Sequence, residues 1–269
     1  MAISGTVLLD KYRIVRPIAR GTSSVVYLAF DMFGAPFAVK LFPPELASRA
    51  DREYLVGSRL HHKNANPVMA RIVVEGQPGV LMPYAPGVRF SEYVSQHGLT
   101  QFLAVFSQAL EGLSHMHESG MVHRDFKPEN LVVSPGETPS GLEVKLIDYD
   151  LSGPTLEYFR DRITPGTVAY ISPEAILGQP LSPAADLYSA GVMLYWGITA
   201  QHPFDGEPQE VLRAHLETTP PEPSSVREGR ISHVLDRVAM RLLQKDPAKR
   251  YPDAISVLTE LSKLTTIEY

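Results

Sequence analysis

The residue types best suited to chemistry lie between positions 123 and 148. Asp125, Lys127 and Asn130 follow one another closely, and Asp148 ends a short apolar run. Two carboxylates, an ammonium group and an amide in this pattern can converge on a phosphate that carries a metal ion. Phosphoryl transfer needs little covalent chemistry, but it needs an acceptor for the proton of the attacking hydroxyl and cations around the transferred group. The stretch therefore predicts a phosphoryl-transfer site.

The composition argues against several other kinds of site. The 269 residues include no cysteine, and the nine histidines show no metal-ligand spacing, so disulfides, thiolate nucleophiles and zinc sites are not expected. Lys and Arg number 25 against 30 Asp and Glu, a formal net charge of −5, which argues against a nucleic-acid partner. The longest apolar stretch, 190–200, is too short for a membrane span. No secretory signal is visible, so we expect a cytoplasmic location.

Two hydrophobicity patterns divide the chain into a strand-rich part and a helical part. The five strand-like runs are 12–15, 25–29, 37–41, 71–74 and 80–82, and one helical segment, 48–60, interrupts them. After Gly87, apolar residues recur at helical spacing. The predicted helices here are 101–118, 186–198, 209–216, 233–243 and 254–264, with a Pro-rich surface loop at 219–225. This order predicts an α+β arrangement with a cleft at the join.

One motif makes the family resemblance specific. Residues 123–130 read H-R-D-F-K-P-E-N, which matches the catalytic-loop pattern H-R-D-x-K-x-x-N. The chain resembles a eukaryotic-type (Hanks-type) Ser/Thr protein kinase catalytic domain, in the style of the bacterial members. The resemblance implies a bilobal α+β fold: a small antiparallel five-stranded N-lobe with one regulatory helix, and a larger, mainly helical C-lobe. It places the N-lobe at 1–82, the hinge at 83–87 and the C-lobe at 88–269, with one catalytic domain over 12–265.

The resemblance assigns catalytic and metal-binding roles by position. Asp125 would accept the proton of the substrate hydroxyl, and Lys127 would steady the γ-phosphate. Asn130 and Asp148 would hold Mg²⁺ against the phosphates of ATP.

The nucleotide site follows from the same resemblance. Lys40, in the run F-A-V-K, would contact the α- and β-phosphates, with Glu53 as its partner on the predicted helix. The interval from Glu53 to His62 favours Glu53 over Glu45. The remaining residues expected to contact the nucleotide are Ala19, Gly21, Ser24, Val26, Ala38, Met82, Pro83 and Ala85.

Two segments depart from the family pattern. Of the glycines of G-x-G-x-x-G only Gly21 is retained, which predicts a stiffer or displaced lid, although the stretch alone also fits an ordinary hairpin. The family's D-F-G is Asp148-Tyr149-Asp150 here. Asp150 lacks the backbone freedom of glycine, and its carboxylate is expected either to recruit the metal or to be solvated. The chain is then either held in one loop conformation and active, or it has lost phosphoryl transfer.

The segment from 148 to 174 resembles an activation segment. Residues 166–174 read G-T-V-A-Y-I-S-P-E, similar to G-T-x-x-Y-x-x-P-E, which forms the platform for a peptide substrate. Thr167 together with Lys127 favours Ser/Thr acceptors. Glu174 is predicted to pair with Arg250, and Asp186 resembles the residue that braces the catalytic loop.

Arg124 requires an anion from the activation segment. A phosphorylated Thr155 or Thr164 would supply one. Our hypothesis is that Glu157 or Asp161 pairs with Arg124 and partly replaces phosphorylation; the alternative is that both carboxylates are solvated.

Three functions fit these features in different degrees. The first is a Ser/Thr protein kinase that uses Mg-ATP on protein substrates, with autophosphorylation. The alternative is a kinase-like scaffold, or pseudokinase, that binds partners or nucleotide without efficient turnover. A small-molecule phosphotransferase fits less well because of the peptide platform. Dimerisation is possible, and a longer parent protein could be tethered to a membrane.

Overall fold

The N-terminal part of the molecule is an antiparallel sheet. The structure, a computed structural model, describes residues 4–138, 140–158, 168–227 and 231–266. Its strands are β1 (Val7–Leu8), β2 (Tyr12–Arg20), β3 (Val25–Phe30), β4 (Pro36–Leu41), β5 (Ala70–Val74) and β6 (Gln77–Pro83). Their order in the sheet is β1-β2-β3-β4-β6-β5. All five predicted runs lie within these strands, and the two-residue β1 adds a sixth.

One helix, α1 (Ala47–Gly57), packs on this sheet and follows a 3₁₀ turn, Pro44–Leu46. It buries Ala50, Glu53, Val56 and Gly57. A Cβ at Gly57 would lie 2.3 Å from a methyl carbon of Val68, a distance that no side chain tolerates. The glycine therefore lets α1 approach the chain that leads into β5, and this fixes the face that carries Glu53.

The C-terminal part is mainly helical. Its helices are α2 (Phe90–Ser95), α3 (Leu99–Glu118), α4 (Pro173–Ile176), α5 (Pro183–Thr199), α6 (Pro208–Glu217), α7 (Pro223–Val226), α8 (His233–Leu242) and α9 (Ala254–Leu261). Helices α3 and α5 form much of a large hydrophobic core. The loop predicted at 219–225 is partly wrong, because α7 begins at Pro223, where the missing N–H of proline costs no helical hydrogen bond. Within the described ranges, no helix combines the length and hydrophobicity needed to cross a bilayer.

Short strands under the cleft hold the loops of interest. Strands β7 (Val88–Arg89), β9 (Leu131–Pro135) and β10 (Leu142–Leu146) form one sheet; β8 (Met121–Val122) pairs with β11 (Gly153–Pro154), and β12 (Glu157–Tyr158) with β13 (Pro180–Leu181). Residues 123–130 thus connect β8 to β9, and Asp148 follows β10. Because β9 and β10 are neighbours, Asp125 in the first loop and Asp148 in the second lie on the same side of the cleft.

Candidate active site

A cavity of about 370 Å³ lies between the sheet and the helical lobe. The hairpin of β2 and β3 covers it, and the segment after β6 closes its back. The predicted nucleotide residues that line it are Ala19, Gly21, Ser24, Val26, Ala38, Lys40, Glu53, Met82, Pro83, Ala85 and Asp148. The structure therefore brings together, around one cavity, residues that lie up to 129 positions apart, Ala19 and Asp148.

The β2–β3 hairpin closes without the two missing glycines. The Gly21 amide donates to the Ser24 carbonyl oxygen at 2.9 Å, and Ala19 pairs in register with Val26. Neither Ala19 nor Ser24 is among the residues with positive φ. Alanine and serine are accommodated here because the backbone never enters the region that favours glycine.

Lys40 is the centre of a buried charge cluster. Its Nζ lies 2.8 Å from Glu53 Oε2 and 2.7 Å from Asp148 Oδ1. Burial alone would lower the pKa of Lys40, but the carboxylates around it raise the pKa above its ordinary value. Burial would raise the pKa of the Asp148 carboxyl, but the Lys40 ammonium holds this pKa well below its usual range. Lys40 is therefore charged and Asp148 ionised.

Asp150 is buried rather than solvated, so the expectation of a solvated carboxylate is wrong. Its Oδ2 lies 3.2 Å from an Nη of Arg49 on α1, and only 6% of the residue is exposed. Burial, followed by the Asp148 carboxylate, raises the pKa of Asp150. Between the two acids, the Tyr149 hydroxyl donates to the Leu146 carbonyl oxygen at 2.8 Å. Asp148 itself has φ of 72°, a strained value of the kind found at functional sites.

The catalytic-loop residues contact one another directly. Lys127 Nζ lies 2.7 Å from Asp125 Oδ2 and 2.8 Å from Oδ1. The Asn130 side-chain amide donates to the Asp125 carbonyl oxygen at 2.8 Å and to its Oδ2 at 3.0 Å. The Asp125 carboxylate is therefore oriented by one ammonium group and one amide.

Asp186 on α5 braces the base of this loop. Its carboxylate accepts the backbone N–H groups of His123 at 2.7 Å and Arg124 at 2.8 Å, and the His117 Nε2–H at 2.8 Å. Burial would raise the pKa of Asp186, but the hydrogen bond from His117 and its charge lower it. Arg124 has φ of 68°, so these contacts hold a strained backbone in place.

Arg124 pairs with a carboxylate of the activation segment. One Nη lies 2.8 Å from Glu157 Oε2 and also donates to the Pro154 carbonyl oxygen at 2.9 Å. A Cβ at Gly153 would lie 2.6 Å from the guanidinium. The predicted pairing is thus present for Glu157. Thr155 lies in the described segment just before it; Asp161, Thr164 and Thr167 lie outside the described residues.

The predicted pair of Glu174 and Arg250 is present as a buried, bidentate contact. The two carboxylate oxygens lie 2.6 and 2.9 Å from the two Nη atoms. Arg250 also donates to the carbonyl oxygens of Ala184, Gln244 and Lys245. This satisfies the buried guanidinium and ties the end of the activation segment to the helical lobe.

The donor set around Asp148 fits Mg²⁺. Lys40 contacts Oδ1 of Asp148, and 35% of the Asp148 side chain remains exposed at the cavity. The nitrogen of the Asn130 side chain is used in its two hydrogen bonds to Asp125, which leaves the amide oxygen for a metal. Carboxylate and amide oxygens, completed by phosphate and water, are what Mg²⁺ prefers.

The sequence patterns did not point to several residues at this site, and three of these are polar residues with a clear place in it. Asn66 donates its side-chain amide to the Pro83 carbonyl oxygen at 3.1 Å, the carbonyl expected to face adenine. Glu92 lines the cavity, and Arg49 contacts Asp150. Only Arg49 left a signal in the sequence: it lies four positions before Glu53, so the two share one face of α1.

Comparison with known proteins relates the chain to a family and to named relatives. A family model described as a protein kinase domain matches residues 12–260. The serine/threonine-protein kinase Pkn3 of Myxococcus xanthus is 31% identical over 96% of this chain and 50% of its own length. PknB of Mycobacterium tuberculosis is 29% identical over 96% of this chain and 43% of its own. The chain thus spans half or less of the length of these relatives.

Comparison with solved structures concerns the fold. The crystal structure of the Mycobacterium tuberculosis PknI kinase domain superposes with a TM-score of 0.75, at 23% identity, and covers 97% of this chain and 99% of that one. At this identity the likeness establishes the fold alone, which is the predicted bilobal one.

Proposed function

Because the chain belongs to the protein kinase domain family, we propose that it transfers the γ-phosphate of Mg-ATP to Ser or Thr hydroxyls of proteins, including its own. One observation carries the proposal: Lys40 contacts both Glu53 and Asp148 at the edge of the cavity, while Asp125 is held by Lys127 and Asn130. A cation for phosphates and an oriented proton acceptor are the two things that phosphoryl transfer requires.

In the proposed reaction, each of these side chains has one task. The Asp125 carboxylate accepts the proton of the attacking Ser or Thr hydroxyl and orients its oxygen toward the γ-phosphorus. Lys127, already 2.7 Å from Asp125, places positive charge beside the transferred group. The bond from the γ-phosphorus to the bridging oxygen breaks, and ADP leaves with the electron pair.

Lys40 and the oxygen ligands act on the rest of the nucleotide. Lys40 binds the α- and β-phosphates, and Glu53 holds the ammonium group toward them. Asn130 and Asp148 would hold Mg²⁺, which neutralises charge on the phosphates when bound. The adenine ring would lie between Val26 and Ala38 on one side and the segment Met82 to Ala85 at the back.

The domain limits and setting are part of the proposal. We assign one catalytic unit to 12–265, with lobes joined at 83–87, acting in the cytoplasm, where ATP is supplied, on a protein substrate. Membrane tethering of a longer parent and dimerisation remain predictions.

The test is phosphate incorporation. Purified protein is incubated with Mg-ATP, with and without a generic protein substrate, and intact mass is measured on the chain and the substrate. We expect added masses of phosphate with the wild type and none with Asp125→Asn. Stabilisation by Mg-ATP without incorporation on any substrate would contradict the proposal and favour a scaffold that binds nucleotide without turnover.

A further inference from the structure

The contact between Asp150 and Arg49 occupies a position where the family pattern has no side chain. A glycine after the aromatic residue would leave Arg49 without this carboxylate. In this chain Asp150 Oδ2 is 3.2 Å from the Arg49 guanidinium, and the two side chains are only 9% and 14% exposed. Two polar side chains are buried at such a position only where each has a partner, because their desolvation is otherwise uncompensated.

The contact closes a ring that runs through the active site. Arg49 and Glu53 lie one turn apart on α1. Glu53 contacts Lys40, Lys40 contacts Asp148, and the Asp150 carboxylate returns to Arg49. Helix α1 is therefore connected to the Asp148–Asp150 segment twice, once through Lys40 and once directly.

The direct connection has a consequence for the position of the helix. The close packing at Gly57 holds the C-terminal end of α1, and the contact through Lys40 holds Glu53, one turn before it. Arg49 lies a further turn toward the N-terminal end, so its contact with Asp150 holds the end of α1 that is farthest from Gly57. Each of the two partners is bound within a rigid element or segment: Arg49 in α1, and Asp150 beside the buried Tyr149, whose hydroxyl is bonded to Leu146.

We propose that Asp150 and Arg49 are positioning residues that hold α1, and with it the Glu53–Lys40 contact, in the arrangement needed for phosphoryl transfer. The inference rests on the proposed function and deepens it, since it assigns the departure from the family pattern to the organisation of the site. Asp150 acts through Arg49 and, unlike Asp148, does not line the cavity. The replacement of glycine is thereby offset by a partner that glycine could not bind.

The kinetic test compares variants that break the contact with one that breaks a neighbouring contact. The breaking variants are Asp150→Gly, Asp150→Asn, Arg49→Gln and the double variant Arg49→Gln/Asp150→Asn. The control is Asp51→Asn, which removes an exposed ion pair of the same helix, 2.7 Å from Arg71. Each breaking variant is expected to lower kcat about 10-fold to 100-fold. The control is expected to stay within about twofold of the wild type.

Two features separate positioning from a general loss of stability. The KM for ATP should change less than about threefold, because the phosphate-binding groups remain and only the populated arrangement changes. The double variant should be no slower than the slower single variant, since each single variant already removes the same contact. Arg49→Lys, which keeps a cation, should recover part of kcat. Equal or faster turnover in Asp150→Gly, or losses that multiply in the double variant, would overturn the proposal.

A readout without turnover keeps this inference separate from the proposed function. The chain has no cysteine, so cysteines introduced at the exposed positions Leu55 on α1 and Gln101 on α3 can carry the only spin labels. We expect one narrow distance distribution with the wild-type pair and a broader or shifted one with Asp150→Gly or Arg49→Gln. Superimposable distributions would overturn the inference. If the wild type transfers no phosphate but the two variants still change the distance distribution, only the proposed function is refuted.

Discussion

The catalytic loop at 123–130 and the segment from Asp148 to Asp150 hold their carboxylates in different ways. Asp125 is oriented by residues two and five positions along the chain. Asp148 is held by Lys40, 108 positions away, and Asp150 by Arg49, 101 positions away. Asp125 takes these two partners from its own loop, whereas Asp148 and Asp150 take theirs from the opposite lobe.

The difference accounts for one departure from the family pattern, the aspartate at position 150. In the catalytic loop, exchange of Lys127 or Asn130 would remove a side chain that orients Asp125, and the motif is complete. In the Asp148–Asp150 segment, a helix that can supply Arg49 compensates the exchange of glycine for aspartate. The exchange at position 150 is therefore accompanied by a contact partner from elsewhere in the fold.

The largest effect is expected for Lys40→Met. The change removes the cation that bridges the lobes and leaves the buried Glu53 and the partly exposed Asp148 without their shared partner. We expect phosphoryl transfer to fall at least about 100-fold, measured as the initial rate of phosphate incorporation. The control is Lys145→Met, which removes a partly exposed lysine bound to Glu143 and should leave the rate within about twofold. A Lys40→Met rate within tenfold of the wild type would contradict the bridging role.

Asp186→Asn should be the next largest and tests the brace of the catalytic loop. Asparagine offers one acceptor oxygen where Asp186 accepts three N–H groups. The amide N–H of the asparagine would therefore face one of these N–H groups. We expect kcat to fall about 10-fold to 100-fold. Asp236→Asn is the matched control, since it removes a buried carboxylate that accepts Ser224 N–H far from the cleft. Equal losses of kcat in both variants would show a general effect of buried acids.

Glu157→Gln should have a smaller effect on the rate. The Glu157 side chain is 57% exposed, and solvent screens such a pair, which limits its worth to about 1 kcal/mol. We expect kcat to fall up to about fivefold, whereas Glu217→Gln, in an exposed helical pair with Arg213, should not alter it. Treatment of the wild type with phosphatase should leave most activity. Full activity of Glu157→Gln with complete loss after phosphatase would assign the partner of Arg124 to a phosphorylated threonine instead.

Replacement of His215, which lies outside both regions, is expected to have the smallest effect on the rate and a clear effect on stability. Burial, reinforced by the Lys245 charge, lowers the pKa of His215 from 6.5 to about 4. The unfolded chain thus takes up a proton as the pH falls below about 6.5, whereas the folded chain takes it up only near pH 4. The free energy of unfolding should therefore fall by up to about 3 kcal/mol between these values.

Urea unfolding at several pH values measures this slope. His215→Gln should flatten it across that window. His233→Gln, whose ring is 96% exposed, should not. An unchanged slope in His215→Gln would contradict the assignment of this pH dependence to His215.

The sequence predicted the parts of the site whose contacts are local or whose spacing is characteristic. Asp125, Lys127 and Asn130 form one loop, so their order in the chain already implies their proximity. The pairing of Glu174 with Arg250 and the existence of the five strands were likewise predictable. The position of Asp150 was not, because its partner depends on how α1 packs against the sheet, and that packing requires the close approach at Gly57. The Asn66–Pro83 contact was not predictable either, because Asn66 lies in a loop with no motif and meets Pro83 only in the folded chain.

The most direct test of the account is a single-turnover measurement of phosphoryl transfer at saturating Mg-ATP, with the wild type and Asp125→Asn. We predict transfer by the wild type and a rate at least about 100-fold lower in the variant, with ATP affinities within about threefold of each other. Equal rates in the two proteins, or no transfer by the wild type on its own chain or on protein substrates, would contradict it.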